Sequence, residues 1–461
     1  MSIATAIQAA QQKVADAYTA ASAKGATMPA TQNLSNLATT ISNIPSGSSG
    51  PQVPMQVVDI DPEDPTAGTK LVAGPTGIDV GGATIIQKDY IGRTLYQGSP
   101  DCTGASFVNS NNLKTIEGSY IFYSCFVGTG FTSTGLDSVE NIKNSSAMYY
   151  AYQNCVNLTQ TGLGNLKYIS GNACMTHMFD GCTGLTSTGI NWNQIETGGS
   201  GSSASNGYMS YIFNGCTGLL TTGFEGKTSI KKSGSSSYLF YSAFSGCTSL
   251  TSSGLNDVKE INGKSCCHLM FSDCTSLSDP GLENVEIITD NTCCFGMFKN
   301  TAVTVLRLTN YTGNGVSGST ECFSNICSGC QLTDVYFNSL NTYYLGSSVF
   351  NNMLSGVTGC TVHLPSNQTY SGSFGGTNTT VLNDLPAVYA INTDETSAST
   401  YEIYLQLQKR PNNNVTVWVN RYNGAGHYVY TVGTGVPSVG DWVYEDPECS
   451  IQVKQIATVT G

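Results

Sequence analysis

Between residues 105 and 365 the apolar positions recur in a block longer than any single helix or strand. Segments ending in an aromatic, two residues and a cysteine read IFYSC, AYQNC, MFDGC, IFNGC, AFSGC and MFSDC. Their cysteines stand at 125, 155, 182, 216, 247 and 274, spaced 30, 27, 34, 31 and 27 residues apart. Three positions after the later cysteines come Leu158, Leu185, Leu219, Leu250 and Leu277. A glycine and an apolar residue follow, in the pairs Gly162-Leu163, Gly189-Ile190, Gly223-Phe224, Gly254-Leu255 and Gly281-Leu282. Further apolar residues close most blocks, such as Val258 and Ile261. Each block supplies a short strand and an aromatic-bearing helix or turn, too little to bury its own apolar face, so stacking on neighbours must complete the core. The predicted class is multi-domain, mainly an α+β repeat solenoid over 101–368, with a short helical segment before it and all-β modules on either side.

The flanking pattern differs. Ile3, Ile7, Ala10, Val14, Ala17 and Ala21 fall at alternating spacings of four and three, one apolar stripe on a helix, which Gly25 ends and Pro29 keeps from resuming. Leu34, Leu37, Ile41 and Ile44 repeat the stripe before the linker PSGSSGPQVP, so residues 1–45 are expected as a helical leader. Two stripes this short need each other or other copies to be stable. Residues 51–100 alternate apolar and polar positions between glycine turns, as a small β-domain does. Residues 380–461 contain YEIYLQLQ, VTVWVNRY, HYVYTV, DWVYED and IQVKQIATV, five short strands of a further β-module: a sandwich, partial barrel or intertwined oligomer.

The segments MFDGCTGLTSTGI and AFSGCTSLTSSGLNDVKEI resemble the BspA-like class of leucine-rich repeats, whose units read roughly F-x-x-C-x-x-L. The resemblance departs where Thr301 stands at the cysteine position and where Cys327, Cys330 and Cys360 lose register, which implies a distorted C-terminal cap. The leader, ending in LSNLATTISNI, is similar to the brief helical leader of tail-associated proteins of phages infecting gut bacteria. That likeness implies attachment or oligomerisation, with a homotrimer as the expected state.

Composition narrows the chemistry. With 51 glycines and 11% charged residues the chain is turn-rich, while 40% apolar residues argue against disorder. A formal charge of -12 disfavours the phosphate backbone as a partner, so nucleic acid is set aside. No stretch approaches the roughly 18 apolar residues of a membrane span, and the start lacks the basic flank of a secretory signal, so neither membrane insertion nor classical export is expected. Seventeen cysteines in a reducing cytoplasm stay thiols. The pairs Cys266-Cys267 and Cys293-Cys294 invite a metal reading, yet Cys174, Cys266 and Cys293 each stand eight residues before Cys182, Cys274 and Thr301. One repeated position explains them better, as small apolar fillers; no metal and no cofactor is expected. His177, His268, His363 and His427 form no arrangement with a nucleophile and an acid, and Asp180, Glu225, Asp257 and Asp273 are scattered singly, so no catalytic residue is nominated.

Tyrosine remains as binding chemistry, since it offers an apolar face and a polar tip. Long Ser/Gly spacers occupy 198–207 and 232–237, and insertions in a solenoid project from one face. The candidate receptor-facing residues are therefore Tyr208, Tyr211, Tyr238 and Tyr241. The expected protein is a non-enzymatic structural component of a phage virion, assembled in the host cytoplasm beside other virion proteins. It would be a tail fibre, baseplate appendage or capsid decoration attaching to a host surface glycan or protein. A bacterial surface adhesin with the same repeats, which needs an export or anchoring signal, and a polysaccharide depolymerase, which needs paired carboxylates, are the alternatives.

Overall fold

A computed structural model divides the chain into two compact units, residues 1–54 and 55–461. It describes backbone and side chains for residues 11–19, 29–33, 36–37 and most of 77–385, except 199–206, 232–237, 309–320, 338–348 and 367–371; within 56–74 and 388–460 it describes strand backbone alone. In the first unit residues 11–19 are helical. Tyr18, at 1% exposure, donates its hydroxyl to the Asn33 carbonyl at 2.8 Å, while Val14 and Ala17 of the expected stripe are half-buried beside it. Ile3, Ile7, Ala10, Ala21, Leu34, Ile41 and Ile44 lie outside the described residues.

The second unit is a parallel β-solenoid of about nine turns. Strands Gln56–Asp59, Lys70–Gly74 and Gly77–Asp79 form an antiparallel meander, and the last of them pairs in parallel with Phe107–Val108. The main face then builds coil by coil. Ile85–Gln87, Thr115–Glu117, Asn141–Lys143, Tyr168–Ser170 and Glu196–Gly198 form one parallel sheet. Ser229–Lys231, Glu260–Asn262 and Ile287–Thr289 form a second, and Val305–Leu308, Asp334–Phe337, Thr361–Pro365 and Thr380–Leu385 a third. The first of these coils starts at residue 85, inside the stretch expected as a separate β-domain. Period-two alternation puts the middle residue of each short strand inside, so Ile86, Ile116, Ile142, Ile169, Ile230, Ile261 and Ile288 form one buried row.

The expected α+β mixture is corrected here: among the described residues of this unit there is one 3-10 turn, Trp192–Gln194, and no α-helix. Where a helix row was expected, the chain runs through consecutive turns. Tyr149, Ala151, Gln153 and Cys155 donate their N–H groups three residues back, to Ser146, Met148, Tyr150 and Tyr152. The alternate residues Met148, Tyr150, Tyr152 and Asn154 donate instead to the next coil, at Cys174, Thr176, Met178 and Asp180. Every fourth residue closes a turn with positive φ: Ser146 at 53°, Tyr150 at 54° and Asn154 at 59°. Left-handed backbone costs an L-residue about 1–2 kcal/mol. The inter-coil bonds and the ring row beneath outweigh it: Phe126, Tyr152, Phe179, Phe213, Phe244, Phe271 and Phe298 stack at 4.8 to 5.7 Å.

That ring row also fixes the register. Phe126 bonds to the Tyr152 coil as Tyr152 bonds to the Phe179 coil, so Thr129, three residues after Phe126, stands where Cys155 and Cys182 stand. The first repeat is thus FVGT, and Cys125 occupies the position of Ala151 and Met178, four residues away from the one expected. The cysteine position has a hydrogen-bonding task beyond filling space. The thiols of Cys155, Cys182, Cys216, Cys247 and Cys274 donate to the carbonyls of Phe126, Tyr152, Phe179, Phe213 and Phe244 in the preceding coil, at 2.9 to 3.2 Å. Thr129 and Thr301 hold the same position with a hydroxyl, which donates instead to the Phe of its own turn, Phe126 and Phe298.

A third side is held by buried hydroxyls. Ser106, Thr134, Thr161, Thr188, Thr222 and Ser253 each donate to the carbonyl at the matching position of the next coil, at 2.6 to 2.9 Å. The glycine that follows must turn with positive φ; at Gly162 a Cβ would lie 2.6 Å from Thr134 Oγ1. The sheet is interrupted between Glu196–Gly198 and Ser229–Lys231, where a cavity of about 360 Å³ opens beside Trp192. Trp192 stacks on Phe224 at 5.2 Å and donates Nε1–H to the Thr222 carbonyl at 2.7 Å.

After the solenoid, the strands form one antiparallel sheet in the spatial order Gln452–Gln455, Trp442–Tyr444, Glu402–Gln406, Thr416–Arg421, His427–Thr431, Val388–Asn392, Thr458–Thr460. All five expected strand regions are strands, IQVKQIATV divides into two, and Val388–Asn392 adds a seventh.

Candidate functional site

The outer edge of the turn ribbon carries a second row of rings. At the positions five and six residues before the cysteine, buried Ser124, Thr176, Ser210 and Ser242 alternate with rings that reach the surface. The rings are Tyr123, Tyr149, Tyr150, His177, Tyr211, Tyr241, His268 and Phe295, all half-buried. Tyr90 stacks on Tyr120 at 5.3 Å, Tyr123 on Tyr149 at 5.2 Å and Tyr150 on His177 at 4.5 Å. His177 then stacks on Tyr211 at 4.4 Å with planes 4° apart, Tyr241 on His268 at 4.7 Å and His268 on Phe295 at 4.6 Å. At about 4.8 Å per coil, a rail from Tyr90 to Phe295 is roughly 34 Å long.

A groove of about 440 Å³ runs along this rail, lined by rings together with Thr176, Ser210, Lys264, Ser265 and Thr292. None of its lining side chains is a carboxylate. Asp180 lies beside it and is fully engaged, accepting from His177 Nδ1 at 2.9 Å, Asn214 at 2.9 Å and Gln153 at 3.1 Å. Burial disfavours its charge, but the donors outweigh burial and hold its carboxyl below the usual range. Burial also pushes His268 down to about 4, and its buried Nδ1 has no hydrogen-bond partner. Burial, with the Tyr241 hydroxyl next, pushes Tyr211 up to about 12. Tyr211 is thus a neutral phenol and His268 a neutral imidazole at neutral pH.

Of the four candidate tyrosines, Tyr211, Tyr238 and Tyr241 line the groove. Tyr208 does not, being only 2% exposed. It stands eight residues before Cys216, the position that Cys174 and Cys266 fill elsewhere, and that position faces the core throughout. Its burial was therefore legible from the spacing that grouped the cysteines. The spacers 199–206 and 232–237 lie outside the described residues. His177 and His268, which the sequence places in no arrangement with a nucleophile and an acid, complete the rail, and only the coil-to-coil stacking reveals it.

A smaller stack lies on the last sheet. Arg307 covers Tyr336 at 4.2 Å, Tyr336 stacks on His363 at 4.3 Å, and His363 sits between Asp384, 2.8 Å from Nδ1, and Asp334, 3.2 Å from Nε2. Burial opposes the charge on His363, and the two carboxylates outweigh it and raise its pKa. Thr333 donates to Asp334 at 2.8 Å, so His363 is clasped between carboxylates of its two flanking strands and Arg307 carries the stack onto a fourth. Among the described residues no three or more His, Cys, Asp or Glu side chains are grouped so as to hold a metal ion, and no helix is long and apolar enough to cross a membrane.

Comparison with known protein families, characterised proteins and solved structures found no match to this chain.

Proposed function

We propose that the chain is a non-enzymatic structural component of a bacteriophage particle, a tail fibre, baseplate appendage or capsid decoration, which attaches the particle to its host. The observation that carries the attachment role is the ring rail: a continuous binding-type surface on a rigid scaffold, with a groove that no carboxylate lines. Glycoside cleavage requires a carboxylate pair across the scissile bond, so the same groove argues for holding a ligand rather than cutting it. The phage assignment rests on the resemblance of the leader, as does the expected homotrimer, with assembly in the host cytoplasm beside other virion proteins. The finer reading of the coils as BspA-like leucine-rich repeats rests on the recurring F-x-x-C-x-x-L pattern, which the buried rows at the Phe, Cys and Leu positions support. The test is competition. Excess purified protein should reduce adsorption of the parent phage to its host, and a variant with glutamate at Tyr211 and Tyr241 should not. Equal adsorption with and without the protein would refute the attachment role.

A further inference from the structure

The rail's ligand can be narrowed by asking which atoms of its rings are accessible. Tyr150, His177 and Tyr211 stack at 4.5 and 4.4 Å, and Tyr241, His268 and Phe295 at 4.7 and 4.6 Å. In each triplet the middle ring has both faces covered, so no sugar ring can lie on it. What faces the groove is the ring edge, which carries the positive part of the aromatic quadrupole, together with the phenolic hydroxyls.

The hydroxyls around the rings are oriented by the scaffold. Ser210 donates to the Tyr238 carbonyl at 2.7 Å, Thr176 to the Gly207 carbonyl at 2.8 Å, and Ser265 and Thr292 bond each other at 2.7 Å. The protons of Ser210 and Thr176 are committed to carbonyls, so these oxygens can only accept from a ligand, while within the Ser265–Thr292 pair one hydroxyl donates and the other accepts. The backbone offers nothing similar to an extended peptide: along the ribbon, alternate N–H groups are used between coils and the others within turns. A peptide adding a strand needs an unpaired edge, whereas a polyhydroxylated chain does not.

Charge adds a further constraint. The groove holds the ammonium of Lys264 and no carboxylate, on a chain whose formal charge is -12. We propose that the rail binds a linear acidic polysaccharide laid along the solenoid axis, held by the edges of successive rings and by the hydroxyls of Tyr211 and Tyr241, with an acidic sugar against Lys264. This rests on the attachment reading and deepens it. A polymer suits a site extended over several coils, because each added sugar meets a further ring of the rail.

The experiment uses the full chain, fluorescently labelled, on a panel of gut bacterial strains. A strain that it labels supplies both cells and extracted surface polysaccharide. The expected result is that periodate treatment of the cells abolishes labelling, protease treatment does not, and the extracted acidic polysaccharide binds more tightly as its fragments lengthen. The double variant Tyr211→Phe and Tyr241→Phe keeps the rings and loses the hydroxyls; it should bind that polysaccharide at least tenfold more weakly with an unchanged unfolding midpoint. Lys264→Ala should remove most of the salt dependence of binding. Labelling lost to protease but not to periodate overturns the polysaccharide proposal while leaving attachment standing, and labelling of no strain overturns both. Wild-type affinity in the double phenylalanine variant overturns recognition through the hydroxyls.

Discussion

The residue with the most specific task is the cysteine that closes each turn ribbon. Its thiol is small enough for the crowded interior and gives the ring residue's carbonyl in the preceding coil a second donor, beside the backbone N–H that closes that coil's turn. This account predicts an order of tolerance. In Cys216→Ala the Phe179 carbonyl loses the thiol that lies at 3.1 Å but keeps the Cys182 N–H, also at 3.1 Å, so no acceptor is stranded and the lost bond should cost about 0.5–1.5 kcal/mol. Cys216→Thr should cost less, because Thr129 and Thr301 fill the same position with their hydroxyls satisfied by the Phe carbonyl of their own turn. Urea unfolding of the two variants compares them, and a threonine variant as destabilised as the alanine one would contradict this order. Burial and chemistry together also predict the thiol count. Sixteen cysteines are buried and free in the structure, so native protein should react slowly with a thiol reagent, and protein denatured without reductant should titrate close to 17 thiols. Several defined disulfides would contradict this.

At the scale of the element, the buried rows were legible in the sequence and the backbone connecting them was not. The Leu158, Leu185 and Leu219 series, the Gly-apolar pairs and the cysteine positions all follow from one spacing, because a stacked array repeats its interior. A helix was expected because aromatic and apolar residues four apart, such as Met148 and Tyr152, fit a helical face. They equally fit a run of turns with one positive φ in every four residues. Only inter-coil bonding distinguishes the two. The same ambiguity let F-x-x-C at residues 122–125 stand in for the true F-x-x-T at 126–129. Two further predictions belong here. Thr188→Val leaves the Thr222 carbonyl to Trp192 alone and takes the acceptor from the buried Ile190 N–H, 3.3 Å away, so it should destabilise by about 1–3 kcal/mol in thermal unfolding; Thr186→Val, on the exposed side of the same coil, should change little. The His363 clasp sets a pH dependence. Its folded pKa is raised above the unfolded value of about 6.5, so its contribution is fully present below that value and is lost as pH rises through the folded one. Asp334, held low first by Thr333 and then by His363, acts oppositely, contributing above the usual carboxylate range and losing that contribution in acid. Unfolding midpoints should therefore decline from pH 6 upward, and His363→Gln should flatten that decline; parallel curves for both proteins would contradict it.

The described chain comprises a helical segment in one compact unit and a solenoid and an antiparallel sheet in the other. Residues 1–54 form a unit of their own, and helical stripes this short require partners. The full chain is therefore expected to be a trimer by light scattering, and a chain lacking residues 1–54 a monomer; monomers in both cases would refute that role for the leader. The central claim is that this solenoid belongs to a phage particle and meets the host. The most direct measurement is mass spectrometry of particles purified through a density gradient, with gold-labelled antibody to the solenoid locating the chain by electron microscopy. The account predicts that the chain co-migrates with intact particles and that gold decorates them at the contact with the cell. Recovery of the chain only in the soluble fraction, with unlabelled particles, would contradict it.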